Sequence, residues 1–513
     1  MASYLHPGVY IEEVPSGARA IEGVGTSTAC FVGHVLQGPV ATPVLITNFS
    51  DYERVFGGLR EDRSSSLGDA MGHAVSAFFL NGGSRAYVVR AVRRDSARLA
   101  TALLRDVANT TDLLRLQAAN PGVWADGLVV RFTRKGTGAG SVFLTEVGRE
   151  AEDKFVPQEN LGELVPEQGS AYNLVEVVNT TSRLVRAQLI GPPGEVRTRL
   201  NAEPVTSVSL TNGDDGDPPQ VEDYRQIFAA LLKVRDINIL LLPGRAWTND
   251  DKPIVEAAIA HCETIRNRML IIDPPPGDEL TDEADLNALD LPTSTYTVMY
   301  YPWVHTANPF YNPDTNPAAP RTVRLSPAAL VAGLWAKTDA RRGVWKAPAG
   351  IEFPLLGVAA PEFIVEDAEQ DFLNPAGINA IRRMPGYGPV VWGTRTRSTR
   401  ANPEWRYVPV RRTAIFIEES IYNGIQWAVF EPNDHRLWSS LRTSIESFMN
   451  GLFRAGAFQG EKASDAYFVR CGLGQTMTQD DIDRGMVIVL VGFAPLKPAE
   501  FVIVRIQQKV AQQ

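Results

Sequence analysis

The chain has 513 residues, more than one hydrophobic core accommodates, so two to four domains are expected. Hydrophobic residues make up 44% and charged residues 21%, a balance that excludes a disordered chain and a coiled-coil rod. The formal net charge of −9 argues against wrapping nucleic acid, and the longest unbroken apolar run, 486–495, is about half of what a membrane-crossing helix needs. Three widely spaced cysteines, Cys30, Cys262 and Cys471, form no CxxC, which excludes a disulfide framework and the common zinc spacings. Met1-Ala-Ser-Tyr-Leu-His-Pro-Gly is no secretory leader, so synthesis and retention in the cytoplasm are expected. Only nine of the 50 basic residues are lysine. Arginine's forked contacts suit protein interfaces, although a genomic base bias gives the same ratio.

The first twenty residues read as an arm. Pro7-Gly8 precedes a short extended segment, 9–14, and Pro15-Ser-Gly17 breaks it from the body. Buried strands are expected at 29–33 and 44–47, short helices near 51–56 and 67–80, and a strand at 86–90 after the turn Asn81-Gly-Gly83. From about 96 to 220, short alternating runs such as 128–132 and 142–145 alternate with glycine, proline and acidic turns. This reads as a β-rich insertion interrupting the first domain. Helix–strand alternation resumes with a helix at 221–234, a strand at 237–242, a helix from Pro253 to about 268, and a strand at 269–273. Apolar strands alternating with helices predict a parallel sheet covered on both faces. Ser326-Pro327 starts a further helix that ends near Gly343. The last third reads as α+β, closing with β-rich runs at 466–470, 486–491 and 501–506. The fold class expected is therefore multidomain α/β and α+β. A doubly wound α/β domain carries a β-rich insertion, and a C-terminal α+β domain follows, with extended strand arms at both chain ends.

Chemistry is hard to find. No lysine follows a glycine, so a GxxxxGK[ST] phosphate loop cannot exist. Residues 136–140 (Gly-Thr-Gly-Ala-Gly) imitate a nucleotide-binding turn but lack its spacing and lie between two β-like runs, where a hairpin loop is the better reading. No G-x-S-x-G elbow, HExxH or kinase signature occurs, and the six histidines are scattered singly. Residues 212–217 (Asn-Gly-Asp-Asp-Gly-Asp) do not fit the EF-hand spacing and read as an acidic turn. Thr478 with Asp481 reads as a helix start. No catalytic residue, metal ligand or cofactor is assigned.

Two features point to assembly. Strands at chain ends leave unpaired backbone groups, which can pair within their own subunit or be donated to a neighbour's sheet. The candidates are Val9, Tyr10, Ile11, Glu12, Glu13 and Val14 at one end, and Phe501, Val502, Ile503, Val504, Arg505 and Ile506 at the other. The sequence leaves both pairings open. The second feature is 433–455. Asn433 or Asp434 can cap it, and Leu437, Leu441, Ile445, Phe448 and Leu452 recur at helical steps, with Trp438, Met449 and Phe453 widening the apolar face. Arg436, Arg442, Glu446 and Arg454 lie off that face. An ordinary surface helix would look the same.

These segments also carry a resemblance. HPGVYIEEVPSG, GVGTSTACFVGHVLQGPV, LITNFSDYERVFGG and FFLNGGSRAYVVRAV in the first ninety or so residues are similar to the tail sheath proteins of contractile phages, R-type pyocins and extracellular contractile injection systems. GVWKAPAG, LNPAGINAIRRMPGYGPVVWGTRT, WRYVPVRRTAIFIEESI, WAVFEPNDHRLW, AYFVRCG and GFAPLKPAEFVIVRI continue it in family order. The likeness is weakest across the insertion, the family's variable, outward-facing region.

The resemblance implies a structural subunit, not an enzyme. It would polymerise as stacked hexameric rings around an inner tail tube in a metastable extended state, and contract to drive the tube through a target envelope. It implies strand exchange by 9–14 and 501–506, and a charged helix against the tube, here 433–455. Its partners would be further copies of itself, the inner tube protein, and baseplate and terminator proteins, with no nucleic acid and no membrane insertion. Assembly would occur in the bacterial cytoplasm. On this view residues 1–20 and 496–513 are arms, 21–95 with 221–345 form the α/β domain, 96–220 the insertion, and 346–495 the inner α+β domain. The alternatives are an α/β enzyme with an unrecognised site in the doubly wound domain, and another tube or baseplate component.

Overall fold

The structure, a computed structural model, describes residues 19–61, 69–152, 154–398, 402–501 and 503. The chain divides into two compact units. The larger comprises Ser27–Lys337 and Ala349–Ala401, and the smaller Met1–Thr26, Thr338–Pro348 and Asn402–Gln513.

The larger unit is organised by one sheet. It begins with β1 (Ala29–Gly33), β2 (Val44–Ile46), α1 (Phe49–Phe56), α2 (Ala70–Leu80) and β3 (Ala86–Arg90). Helix α1 starts where the Asn48 side chain accepts from the Asp51 N–H and stops at Gly57, whose φ of 89° suits glycine. Between β3 and the return to the sheet lie β4 (Thr101–Arg105), β5 (Asp112–Ala118), β6 (Leu128–Lys135), β7 (Val142–Ala151), β8 (Lys154–Leu164), α3 (Leu174–Thr181), β9 (Val185–Leu189), α4 (Pro193–Asn201) and β10 (Val205–Ser209). The chain then runs through α5 (Val221–Leu231), β11 (Ile239–Leu241), α6 (Lys252–Ile265), β12 (Met269–Ile272), α7 (Glu283–Ala288) and β13 (Thr297–Tyr301). A small three-stranded sheet of β14 (Val304–Ala307), β15 (Thr322–Leu325) and β16 (Val358–Pro361) accompanies α8 (Pro327–Arg342), whose last turn falls in the smaller unit, and α9 (Asp367–Leu373). The unit ends with β17 (Ile378–Met384) and β18 (Gly388–Trp392).

The main sheet runs β18-β17-β13-β12-β11-β1-β3-β2. Its six inner strands are parallel, and the strand at each edge is antiparallel to its neighbour. Every residue of β1, β11, β12 and β13 is buried, which is why these segments read as uninterrupted apolar runs. Phe78 of α2 meets Phe31 of β1 edge-on at 5.5 Å, and Trp335 of α8 donates to the Tyr300 hydroxyl of β13 at 3.1 Å. The sheet extends through residues 378–392, past the domain boundary placed at 345/346 from sequence. The pairing of β17 with β13 joins residues about eighty positions apart, and no local pattern encodes it.

The insertion holds its own core, from Ala100 to Leu210, between the sheets β10-β6-β7-β8 and β4-β5-β9. Its two ends meet where Arg98 pairs with Asp214 and Thr101 with Thr211, as a domain grafted into a loop requires. It is β-rich, and it also contains α3 and α4, for which the sequence analysis assigned no helix. The glycine-rich 136–140 closes the β6–β7 hairpin, and 212–217 is an irregular turn.

Two buried arginines brace this unit by donating to backbone carbonyls. Arg90 donates to the carbonyls of Val35, Leu36 and Gly38, and Arg268 donates to those of Leu231 and Val234 at the end of α5. Burial lowers the Arg90 pKa to about 10. Part of the arginine bias is therefore internal: the planar fork satisfies several carbonyls at once.

In the smaller unit, α10 (Val408–Gly424) and α11 (His435–Arg454) are followed by α12 (Ala463–Ala466), β19 (Tyr467–Arg470), α13 (Gln479–Asp483) and β20 (Leu490–Phe493). The capping box at Thr478 and Asp481 starts α13. Residues 19–26 are held by side chains of the two long helices: Arg19 N–H donates to Ser444 Oγ at 3.2 Å and Val24 N–H to Ser420 Oγ at 3.1 Å. Asp339 and Arg412 form a two-pronged ion pair at 2.9 and 2.5 Å, with side chains only 5% and 4% exposed, and the Thr26 hydroxyl donates to the same carboxylate. Burial pushes the Asp339 carboxyl up, and Arg412 and Thr26 oppose that rise.

Candidate assembly site

The smaller unit contains a sheet of only two strands. β19 and β20 are antiparallel, with Tyr467 opposite Phe493, Phe468 opposite Gly492, Val469 opposite Val491 and Arg470 opposite Leu490. Among the described residues no third strand pairs with either. One face is fixed: Val469 and Ala466 join Ile445, Met449 and Leu452 of α11 in a buried cluster. The other face keeps apolar groups in water, with Phe468 43% and Leu490 49% exposed. The Phe468 ring packs over Gly492, where a Cβ would lie 2.3 Å from it and would displace the ring. A two-stranded ribbon with open edges is a marginal structure that readily accepts a further strand.

The second of the three closing β-rich runs, expected at 486–491, is displaced. The strand is Leu490–Phe493, whereas 486–489 are committed to other bonds: Met486 N–H donates to Asp481 O, and Ile488 O accepts from the Thr476 hydroxyl at 2.6 Å. The chain leaves β20 along a path fixed by Gln459 N–H to Ala494 O at 2.9 Å and by the Tyr407 hydroxyl to Glu500 at 3.1 Å.

The end segments divide as follows. Val9, Tyr10, Ile11, Glu12, Glu13 and Val14 lie outside the described residues, as do Val502, Val504, Arg505 and Ile506. Phe501 and Ile503 are described. Among the described residues they belong to no strand, and these two large apolar side chains are 74% and 79% exposed.

Helix α11 is capped by Asp434, whose carboxylate accepts from the N–H groups of Arg436 and Leu437 at 2.9 and 3.0 Å. Its buried stripe is Leu437, Trp438, Leu441, Ser444, Ile445, Met449 and Leu452, with Phe448 half-buried beside it. Arg436, Glu446 and Arg454 are exposed on the opposite face, separated by Ser439, Thr443 and Ser447. Arg442 is different. It is half-buried and donates to the Cys471 carbonyl at 2.8 Å and to Ser439, so its guanidinium braces the smaller unit itself. Burial raises the Cys471 thiol pKa, with Arg442 pulling the other way. The four charged residues chosen from sequence therefore comprise three on the open face and one brace. Helical periodicity finds the face; it cannot tell that Arg442, at its edge, bends back to a carbonyl 29 residues away.

In the larger unit, a crevice of about 360 Å³ lies beyond the carboxyl ends of β1 and β11. That is where an α/β sheet reverses strand order and where ligands commonly sit. Its ionisable groups are occupied locally: Asp69 accepts from the N–H of Gly72 and Arg60, Arg245 pairs with Asp251 at 2.8 Å, and Asp215 accepts from Val123 N–H. Among the described residues no group of three or more His, Cys, Asp or Glu side chains gathers as a metal site, and no helix is long and apolar enough to cross a membrane.

Two family models match the chain. The phage tail sheath protein central domain covers residues 218–397 and the phage tail sheath C-terminal domain covers 400–509, together more than half of the sequence. The tail sheath protein of Burkholderia phage BcepMu is 25% identical over 480 residues, spanning 90% of this chain and 89% of that one. Among solved structures, the sheath complex of the extracellular contractile injection system PVC in its contracted state superposes with a TM-score of 0.59 at 24% identity, covering 99% of both chains. A chain of the six-fold symmetrised anti-feeding prophage baseplate superposes at 0.55 with 25% identity, over 99% of this chain and 100% of that one.

Proposed function

The chain belongs to the contractile tail sheath family, and from that premise we propose that it polymerises as stacked hexameric rings around an inner tail tube. The extended sheath is a metastable packing, and contraction carries each subunit as a near-rigid body into a better-packed lattice, driving the tube through a target envelope. The observation that carries this reading is the two-stranded β19–β20 ribbon, with open edges and half-exposed Phe468 and Leu490. Residues 9–14 and 501–506 of other copies complete it as added strands, because backbone pairing recovers the bonds that the open edges lack. Linked strands survive the rearrangement and act as hinges, while other contacts between copies are rebuilt.

The open face of α11, with Arg436, Glu446 and Arg454, rests against the tube. Exposed ion pairs there contribute roughly 1 kcal/mol or less each, weak enough to release when the sheath contracts. Energy stored at assembly takes the place of nucleotide hydrolysis, and the subunit performs no catalysis. We read the sheet of the larger unit as doubly wound, and the insertion at 96–220 as facing outward from the particle. Partners are further copies of the chain, the tube protein, and baseplate and terminator proteins. Assembly takes place in the bacterial cytoplasm, in a phage tail or tail-like particle.

Negative-stain microscopy of the overexpressed chain tests the proposal. Hollow, striated cylinders are expected; a monodisperse monomer with a measurable turnover would overturn it in favour of an enzyme.

A further inference from the structure

Between α10 and α11 the chain makes a short turn that turns one aromatic side chain inward and another outward. Trp427 is half-buried against the cluster of Leu437, Trp438 and Leu441, and the Arg19 guanidinium lies 4.9 Å from its ring. Phe430, three residues on, is fully exposed, and its φ is +70°. A bulky residue in the left-handed region is strained, and among the described residues no contact covers this side chain. The turn is nevertheless rigid. Gln426 Nε2 donates to Tyr422 O at 2.8 Å, Val429 and Glu431 N–H donate back to Gln426 and Ala428 carbonyls, and Asp434 caps the next helix. A fixed, solvent-facing aromatic beside the 58%-exposed Val429 has the character of an interface anchor already held in its bound shape.

We propose that this Val429–Phe430 knob of one copy seats in the groove between α5 and α6 of a second copy. The groove has a volume of about 420 Å³. Its floor is the Phe228 ring, stacked on His261 at 5.5 Å, and small Ala257 and Ala260 beside the 43%-exposed Leu232 leave room for a phenyl group. The charges are complementary: Glu431 directly follows the knob, and Arg225, which among the described residues pairs with the exposed Glu222 at 3.6 Å, lines the groove. Knob and groove are different surfaces of one chain, so the contact is head-to-tail and propagates into a ring or helix instead of closing as a dimer. It rests on the reading that the chain self-assembles, and adds to it a side-chain lock independent of strand exchange.

The test is assembly of the full chain, followed by sedimentation and microscopy. Phe430→Ala should raise the protein concentration needed for assembly by about ten-fold or more. Phe430→Gly, which relieves the backbone strain, should melt no lower than the parent chain yet show the same assembly defect. The native cysteines are buried, and burial pushes the Cys30 and Cys262 thiols to about 12, so introduced cysteines report alone. Phe430→Cys combined with Ala257→Cys should give a disulfide-linked ladder of subunits on oxidation of assembled particles, and either substitution alone should not. Assembly of the alanine and glycine variants at the parental concentration, or particles without a ladder, would overturn the knob-and-groove contact while leaving the sheath reading intact. A parent chain that never assembles would overturn both.

Discussion

The main sheet of the larger unit and the ribbon of the smaller one are built from similar residues and reach opposite ends. In the eight-stranded sheet, four inner strands are buried at every position, and an antiparallel strand closes each side. In the ribbon, β20 buries no residue fully, and Phe501 and Ile503 continue into solvent. One region buries its inner strands completely within a single copy, and the other keeps large apolar side chains of its strands half in water. The proposal that other copies complete the ribbon turns on this contrast, and the following experiments press on it.

The largest effect is expected from removing residues 1–14. The larger unit should keep its stability, the protein should stay soluble, and tube formation should be abolished; long, ordered sheaths from the truncation would remove strand exchange from the account. Within the smaller unit, Arg412→Ala strands the Asp339 carboxylate among buried groups and should cost about 3–5 kcal/mol in urea unfolding. A loss below about 1 kcal/mol would mean that the pair is not a structural clasp.

The larger unit should show its own pH dependence. Burial raises the Asp273 carboxyl to about 7, against the bonds it accepts from Ser326 and Ala328 N–H. In the unfolded chain an aspartate titrates near about 3.9. Between these values the folded chain holds a proton that the unfolded chain has released. This group's contribution to stability therefore falls as pH rises from about 4 to about 7 and is flat above, a range on the order of 4 kcal/mol. Asp273→Asn should flatten that slope in urea midpoints measured across the window, and an unchanged slope would assign the titration elsewhere. The smallest effect belongs to α11. Arg436→Ala with Arg454→Ala should change stability by less than about 0.5 kcal/mol, yet weaken tube co-sedimentation at low salt and lose that difference at high salt. Equal tube binding at all salt concentrations would take this face out of the interface.

Much of the larger unit is legible from sequence because its signals are local. β1 and β3 follow from unbroken apolar runs, and α6 and α8 from first-turn prolines at the expected places. Helix α11 follows from apolar spacing and the Asp434 cap. Helix α10 is not legible in the same way: although Pro409 stands in its first turn, Val408, Val410, Ile415 and Ile417 are β-branched residues that suit a strand. Tertiary burial of eleven of its residues overrides that preference. The position of β20 is missed because a hydroxyl from Thr476 and a turn after α13 claim 486–489, bonds that a hydropathy pattern does not encode. Phe430 carries no periodic signal at all. Only its backbone angle and its exposure mark it out.

One measurement reaches the centre: a near-atomic cryo-electron microscopy map of the intact chain's assemblies, traced through both ends. The account predicts density for 9–14 and 501–506 hydrogen-bonded along the β19–β20 ribbon of other copies. Both ends folded back onto their own subunit, without repeating contacts between copies, would contradict it.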